Sequence, residues 1–280
     1  MSKARRRNRE TEKSSVSRKQ SRPTQESILL SGLEKMSLTC SHEQIHLLTA
    51  YLEELKKWNR AYNLTSRKTD EDIIVNHFLD SVLYLKAIPE NHVSIADVGS
   101  GAGFPGVPIK VFRTESEMYL LEPSRKRASF LRHIVKLLDL SGVEVIEERV
   151  EDIGYLGVDV ALTRALFSIK EFVRKASHLV RDNGRMVLSK GPKVYEELGE
   201  IGGENLFYEV WYMNLPITGA ARYLVMVYKS ALVSITQTGY HSASTNPGTS
   251  QSIICINAEC RLRRDGCKGF EGCPGFKARG

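Results

Sequence analysis

The chain has 280 residues, with 40 Lys/Arg against 33 Asp/Glu for a net charge of +7, and 41% of its residues are hydrophobic. That suits one full α/β domain with appendages, long enough to bury a sizeable core. No apolar run approaches the roughly 20 residues of a membrane span, and no apolar h-region follows the basic N-terminus, so a membrane protein and a secreted one are both excluded and the expectation is a cytoplasmic protein.

Residues 1–27 carry nine Lys/Arg and three Glu and have almost nothing apolar to bury, so a disordered basic tail is expected. Residues 28–229 hold 25 basic and 27 acidic side chains, so the positive charge belongs to the tails, and global charge alone is no evidence for a nucleic-acid partner of the core. Within 28–92 a helical part is expected. A short helix covers 28–36. Then Ser41-His-Glu-Gln44 reads as a capping box ahead of Ile45, Leu48, Leu52, Leu55 and Trp58 at helical spacing. A polar-aromatic stretch, 58–66, precedes another helix over 70–85 that carries His77 and Asp80. By spacing alone these two read as buried hydrogen-bonding residues.

From 93 to 229 strands and helices alternate. Strands are expected near 93–98, 117–121, 143–147, 158–163 and 184–189, with helices near 105–112, 124–139 and 168–180. Two β-rich runs, 207–214 and 223–228, then form an antiparallel pair. The result is a mainly parallel sheet with an antiparallel end, complete at Tyr228. The organising stretch is Asp97-Val-Gly-Ser-Gly-Ala-Gly-Phe-Pro-Gly106. Gly99, Gly101 and Gly103 let the backbone turn sharply and approach a ligand, and Pro105 stands where a first helical turn begins. A strand, a tight loop and a helix N-terminus are the usual holder of a nucleotide-like cofactor. Glu122, at the end of the next strand, can accept both ribose hydroxyls of an adenosine. The glycines also satisfy G-x-G-x-x-G, so NAD and S-adenosylmethionine (SAM) both fit; Asp97 two residues before the first glycine tilts the reading to SAM.

Other polar residues collect at strand C-termini, the crevice side of an open sheet: Arg149, Val150, Glu151 and Asp152 after the third strand, Arg164 after the fourth, and Lys190 after the fifth. The helix from Ser124 carries Arg125, Lys126, Arg127, Arg132 and Lys136 opposite an apolar face. That arrangement suits a phosphate backbone as well as plain solvation. A Gly/Ser/Thr-rich linker over 230–252 leads to a basic, cysteine-rich tail, 253–280. There Cys255, Cys260, Cys267 and Cys273 could ligate zinc or an iron–sulfur cluster, although the spacings lack the two-residue pairs of a zinc ribbon.

Together these stretches resemble the bacterial small-subunit ribosomal guanine-N7 methyltransferases, the glucose-inhibited division protein B family. The resemblance runs from about 33 to 229. It is carried by Lys57-Trp-Asn-Arg-Ala-Tyr-Asn-Leu-Thr-Ser66, His77-Phe-Leu-Asp-Ser81 and the glycine loop. Lys126-Arg127, Arg149-Val-Glu151, Thr163-Arg-Ala165 and Leu188-Ser-Lys-Gly191 continue it. It implies a Rossmann-like class I SAM-dependent methyltransferase that methylates N7 of a guanine in the 530-loop region of 16S ribosomal RNA. The partner would be that RNA or the assembling small subunit, with the enzyme acting as a monomer. By the same resemblance Gly99 and Phe104 line the cofactor pocket, Val150 and Glu151 meet the adenine, and Arg164 closes the site. Lys126, Arg127, Arg132 and Arg149 become candidate RNA contacts, with Lys190 beside them. Both tails depart from the family pattern. An NAD(P)-dependent oxidoreductase and a non-catalytic assembly factor stand as the alternatives.

Overall fold

The computed structural model describes residues 23–201 and 206–229 and the backbone of 252–254. The helix starts follow from capping side chains. Thr24 accepts the Ser27 amide and opens α1 (Gln25–Lys35) three residues earlier than its apolar pattern suggests. The expected capping box opens α2 (His42–Tyr62): Ser41 accepts from the Gln44 amide and Gln44 from the Ser41 amide. The stripe of Ile45, Leu48, Leu52 and Leu55 is buried as its spacing requires, with Tyr51 among it.

The single helix expected over 70–85 is instead four consecutive pieces. These are α3 (Asp70–Ile73), a π-helical stretch (Ile74–Leu79), α4 (Asp80–Val82) and a 3-10 turn (Leu83–Lys86). A π turn holds one more residue than an α turn and re-aims the side chains around it. His77 lies inside that stretch and Asp80 directly after it. Hydrophobic periodicity cannot register such a change of pitch.

The sheet is built from β1 (Ser94–Val98), β2 (Glu117–Leu121), β3 (Val143–Ile146), β4 (Val158–Arg164), β5 (Val180–Lys190), β6 (Phe207–Asn214) and β7 (Ala221–Tyr228), in the order β3-β2-β1-β4-β5-β7-β6. β3, β2, β1, β4 and β5 run parallel, and β7 is antiparallel to both β5 and β6, as expected. The sheet does not end at Tyr228: β8 (Ser252–Ile254) pairs parallel with β6, at the boundary drawn between linker and tail. Helices α5 (Gly106–Phe112), α6 (Arg125–Leu137) and α7 (Ile169–Ala176) occupy the expected places. α7 is shorter than 168–180 because Ser168 is its cap and a 3-10 turn, Ser177–Leu179, follows it. α8 (Val194–Ile201) was not foreseen, although Val194, Leu198 and Ile201 bury one helical face.

One face of the sheet and the N-terminal helices share a single core. Leu29, Leu52 and Phe78 pack in the same cluster as Val107, Leu120, Leu162 and Met226. The other face is covered by α7 and α8 through Ile169, Phe172, Val194 and Leu198. β2 lies on one side of β1 and β4 on the other, so the strand order reverses there and a crevice opens beyond their C-termini.

Candidate active site

The glycine loop crosses that crevice. Gly99, Gly101 and Gly103 have φ of 73°, 60° and 95°, a region that side chains strain to adopt. A Cβ on Gly101 would meet no protein atom closer than the Gly99 carbonyl at 3.9 Å, so the backbone here faces open space. A Cβ on Gly103 would instead strike the Tyr51 hydroxyl at 2.6 Å and Val107 at 2.8 Å; this glycine allows close packing, not ligand approach. Asp97, expected to bind cofactor, is fully buried beneath the loop. Its Oδ2 accepts the Gly106 amide at 2.8 Å, and burial pushes its carboxyl up to about 7. It fastens the loop to the start of α5 and does not face the crevice. Pro105 stands just outside α5, as its N-cap, after a cis Phe104–Pro105 peptide bond.

Glu122 closes the loop from the far side. Its buried carboxylate accepts the Gly101 amide at 2.9 Å and the Ser124 amide at 2.9 Å, and Arg127 Nη1 stands 3.9 Å away. Next to it lies a cleft of about 210 Å³. Val98, Gly99, Pro123, Val150, Leu166 and Phe167 are among its walls, with Arg149 and Glu151 at the polar end. Its apolar walls are close enough to take a flat ring, and Leu121 and Pro123, on either side of Glu122, line it. Glu151 is exposed and ion-paired with Lys175, which lowers its carboxyl pKa.

The opposite wall is assembled from distant parts of the chain. The Phe104 ring stacks with Tyr51, 5.2 Å away, and with His77, 4.8 Å away, and the Arg164 guanidinium lies 5.4 Å from its centroid. Arg164 donates to the Asn76 carbonyl (2.8 Å) and to His77 Nδ1 (3.0 Å). A guanidinium only donates, so Nδ1 accepts, and the imidazole proton sits on Nε2, where it is given to Thr65 Oγ1 at 2.7 Å. Burial, reinforced by Arg164 and Arg67, holds the His77 pKa down to about 3, so the ring is neutral. Asp80 is buried between two cations, 3.5 Å from Arg164 Nη1 and 2.7 Å from Arg222 Nε.

The description "GidB: rRNA small subunit methyltransferase G" matches residues 44–224. The chain belongs to this family. Its relatives include the Ribosomal RNA small subunit methyltransferase G of Neisseria meningitidis serogroup A, 35% identical over 72% of this chain and 97% of that one. The protein of the same name from Chromobacterium violaceum is 36% identical over 70% and 94%. Among solved structures, a predicted O-methyltransferase from Agrobacterium tumefaciens aligns at 20% identity with a TM-score of 0.46, covering 64% of this chain and 83% of that one. The family match over 44–224 places the chain among small-subunit rRNA methyltransferases and sets aside the dinucleotide reading of the glycines.

In this rRNA methyltransferase G chain the residues expected to meet RNA divide into two groups. Lys126, Arg127 and Arg149 are exposed, Arg149 at the cleft and Arg127 only loosely paired with Glu122. Arg132 pairs with Glu147 at 2.7 Å. Lys190 turns inward, pairing with Glu197 at 2.9 Å and donating to the Phe167 carbonyl, so it ties β5 to α8 and the loop before α7. Arg125, Lys126 and Arg127 open α6 with no acid in its first turn, against the preference of a helix dipole, which concentrates positive potential beside Glu122. By spacing His77 and Asp80 read as buried hydrogen-bonding residues; both are hydrogen-bonded, Asp80 is buried, and His77 is half-buried. Thr65 and Arg222 went unnoticed; only the polar-aromatic density of 58–66 hinted at the first. Cys255, Cys260, Cys267 and Cys273 lie outside the described residues. Among the described residues no group of three His, Cys, Asp or Glu is placed to hold a metal, and no helix is long and apolar enough to cross a membrane.

Proposed function

We propose that the chain transfers a methyl group from SAM to N7 of one guanine in the 530-loop region of 16S ribosomal RNA. Membership of the rRNA small subunit methyltransferase G family supports the reaction class and the RNA. The donor set supports the cofactor. Gly101 leaves its backbone open to a ligand, Glu122 retains lone pairs for two ribose hydroxyls, and the cleft behind Val150 takes a planar base. When bound, SAM supplies a methyl group on a cationic sulfonium.

The observation that carries the atom assignment is the committed state of the wall. His77 is neutral, with both nitrogens bonded; Asp80 is held between two guanidinium groups; Lys190 is paired with Glu197. None stands ready as a general base, and guanine N7 needs none, because its in-plane lone pair attacks without loss of a proton. The chain's residues then have three tasks. Glu122 and the loop hold the donor, Phe104 and Arg164 form a rigid wall that excludes water, and the basic edge near α6 brings in the phosphates.

The test is incubation of the full chain with tritiated SAM and small-subunit RNA or particles from a strain lacking the modification. Borohydride reduction and aniline cleavage then locate any N7-methylguanine. One scission in the 530 region is expected. Label on another atom overturns the N7 assignment, and RNA binding without label makes the chain an assembly factor.

A further inference from the structure

The loop that follows α2 joins the His77 network to the neighbourhood of α6. His77 is bonded to Thr65, Thr65 Oγ1 accepts the Arg67 amide at 3.1 Å, and the loop holding both begins where α2 ends, at Tyr62. Arg67 is exposed on that same loop, five residues after Tyr62. Tyr62 is 41% exposed, yet its ring is mounted on others. Trp58, one turn earlier, lies 5.3 Å away, and Lys126 Nζ is 5.7 Å from the Tyr62 centroid. Trp58 is itself fixed by donation to Glu54 at 3.1 Å and by packing on Phe130 and His133. Arg67 and Lys126 are exposed, and neither has a carboxylate partner among the described residues.

A cation on a solvated helix needs no aromatic at its side, and an exposed aromatic needs no rigid mount. A single-stranded nucleic acid uses both, because each base has a face to stack and each link has a phosphate to neutralise. We infer that Tyr62 is a stacking platform for an unpaired base flanking the target guanine, with Arg67 and Lys126 holding the phosphates on either side. This rests on the reading of the chain as an RNA methyltransferase and adds a surface that the cofactor loop does not contain. An exposed ring with a cation of α6 at its face, and a second exposed cation five residues on in the same loop, fits that chemistry. A protein partner would have to bring carboxylates to both cations and leave the crevice reachable.

The experiment measures methyl transfer to small-subunit RNA by the full chain and its variants over a range of salt concentrations. Tyr62→Ala should raise the KM for RNA roughly fivefold or more, with kcat, SAM affinity and the salt slope unchanged. Tyr62→Phe should restore the wild-type KM, because the ring and not the hydroxyl does the stacking. The double variant Arg67→Gln, Lys126→Gln should instead flatten the salt slope by roughly 1.4 in log–log terms, the amount for two single-strand phosphates. An unchanged KM in Tyr62→Ala overturns the inference, as does Tyr62→Phe as impaired as Tyr62→Ala, which would point to the hydroxyl. A wild-type chain that transfers no methyl to RNA counts against the activity reading instead. RNA affinities of the same variants then decide the platform, by the same criterion.

Discussion

The two walls of the crevice are made in different ways. The cofactor side is local: Asp97 reaches Gly106 nine residues on, Glu122 reaches Gly101 and Ser124, and the cleft is completed by turns that follow neighbouring parallel strands. The facing side is remote. Thr65, His77 with Asp80, Phe104, Arg164 and Arg222 come from five places along the chain, and Arg222 is 142 residues from the Asp80 that it holds. A wall made by backbone turns tolerates change in its surroundings, whereas one built around a buried carboxylate shared by two cations is sensitive to losing that carboxylate.

The strongest way to break the remote wall is Asp80→Ala. It leaves two guanidinium groups facing each other without their shared carboxylate, at a cost of about 3–5 kcal/mol. Urea unfolding should show that loss together with loss of methyl transfer, and a change under about 1 kcal/mol would mean that the pair does not hold the wall. The local wall should break differently. Gly101→Val puts a branched side chain at positive φ into the space that faces the ligand, and calorimetric titration should find SAM binding abolished while the fold survives. Glu122→Ala should weaken SAM by about 1.5–3 kcal/mol through lost charge-assisted hydrogen bonds; undiminished affinity in both variants would move the pocket elsewhere.

Neutralising Lys126 and Arg127 together should leave SAM affinity nearly intact. The KM for RNA should rise severalfold and its salt dependence should flatten, which separates the RNA edge from both walls. A fall in SAM affinity with the salt slope intact would assign these cations to the cofactor side.

The smallest effect distinguishes the walls by pH. His77 is held down to about 3, so as pH falls below 6.5 the unfolded chain gains a proton that the folded one refuses. Stability from that residue drops by about 1 kcal/mol by pH 5.5. Asp97, pushed up to about 7, acts in the opposite sense. Its folded carboxyl takes a proton as pH falls through 7 while the unfolded one stays ionised down to about 4, so its contribution improves. The wild-type curve should therefore be nearly flat between pH 6.5 and 5.5. Asp97→Asn should reveal the falling limb and His77→Gln the rising one, in denaturant titrations at each pH. Parallel curves for all three proteins would reject both assignments.

The same division explains what could be read before the structure. The alternation of strands and helices, the antiparallel end and the glycine loop are local patterns, and the capping box at Ser41 falls where its spelling puts it. Glu122 was legible because its distance from the glycines is set by one strand–helix–strand unit. The neutral His77 and the doubly paired Asp80 were visible as residues but not as a wall, because the π-helical stretch that presents them has no hydrophobic signature and their partners are far off in sequence. Lys190 looked like a phosphate ligand at a strand end. Only packing showed Glu197 beside it, on a helix whose short apolar stripe was hidden between glycines.

The distance from Asp80 to Arg222 also bears on the order of events at synthesis. The helices up to residue 86 leave the ribosome long before β4 and β7 exist, and until then the Asp80 carboxylate has neither of its cations. Burying it alone is costly, so the N-terminal layer cannot close over the nascent sheet in its final form. Arg164 of β4 arrives first and Arg222 of β7 last, so the pairing of Asp80 is completed only by an antiparallel strand near the end of the sheet, which latches the first helices translated.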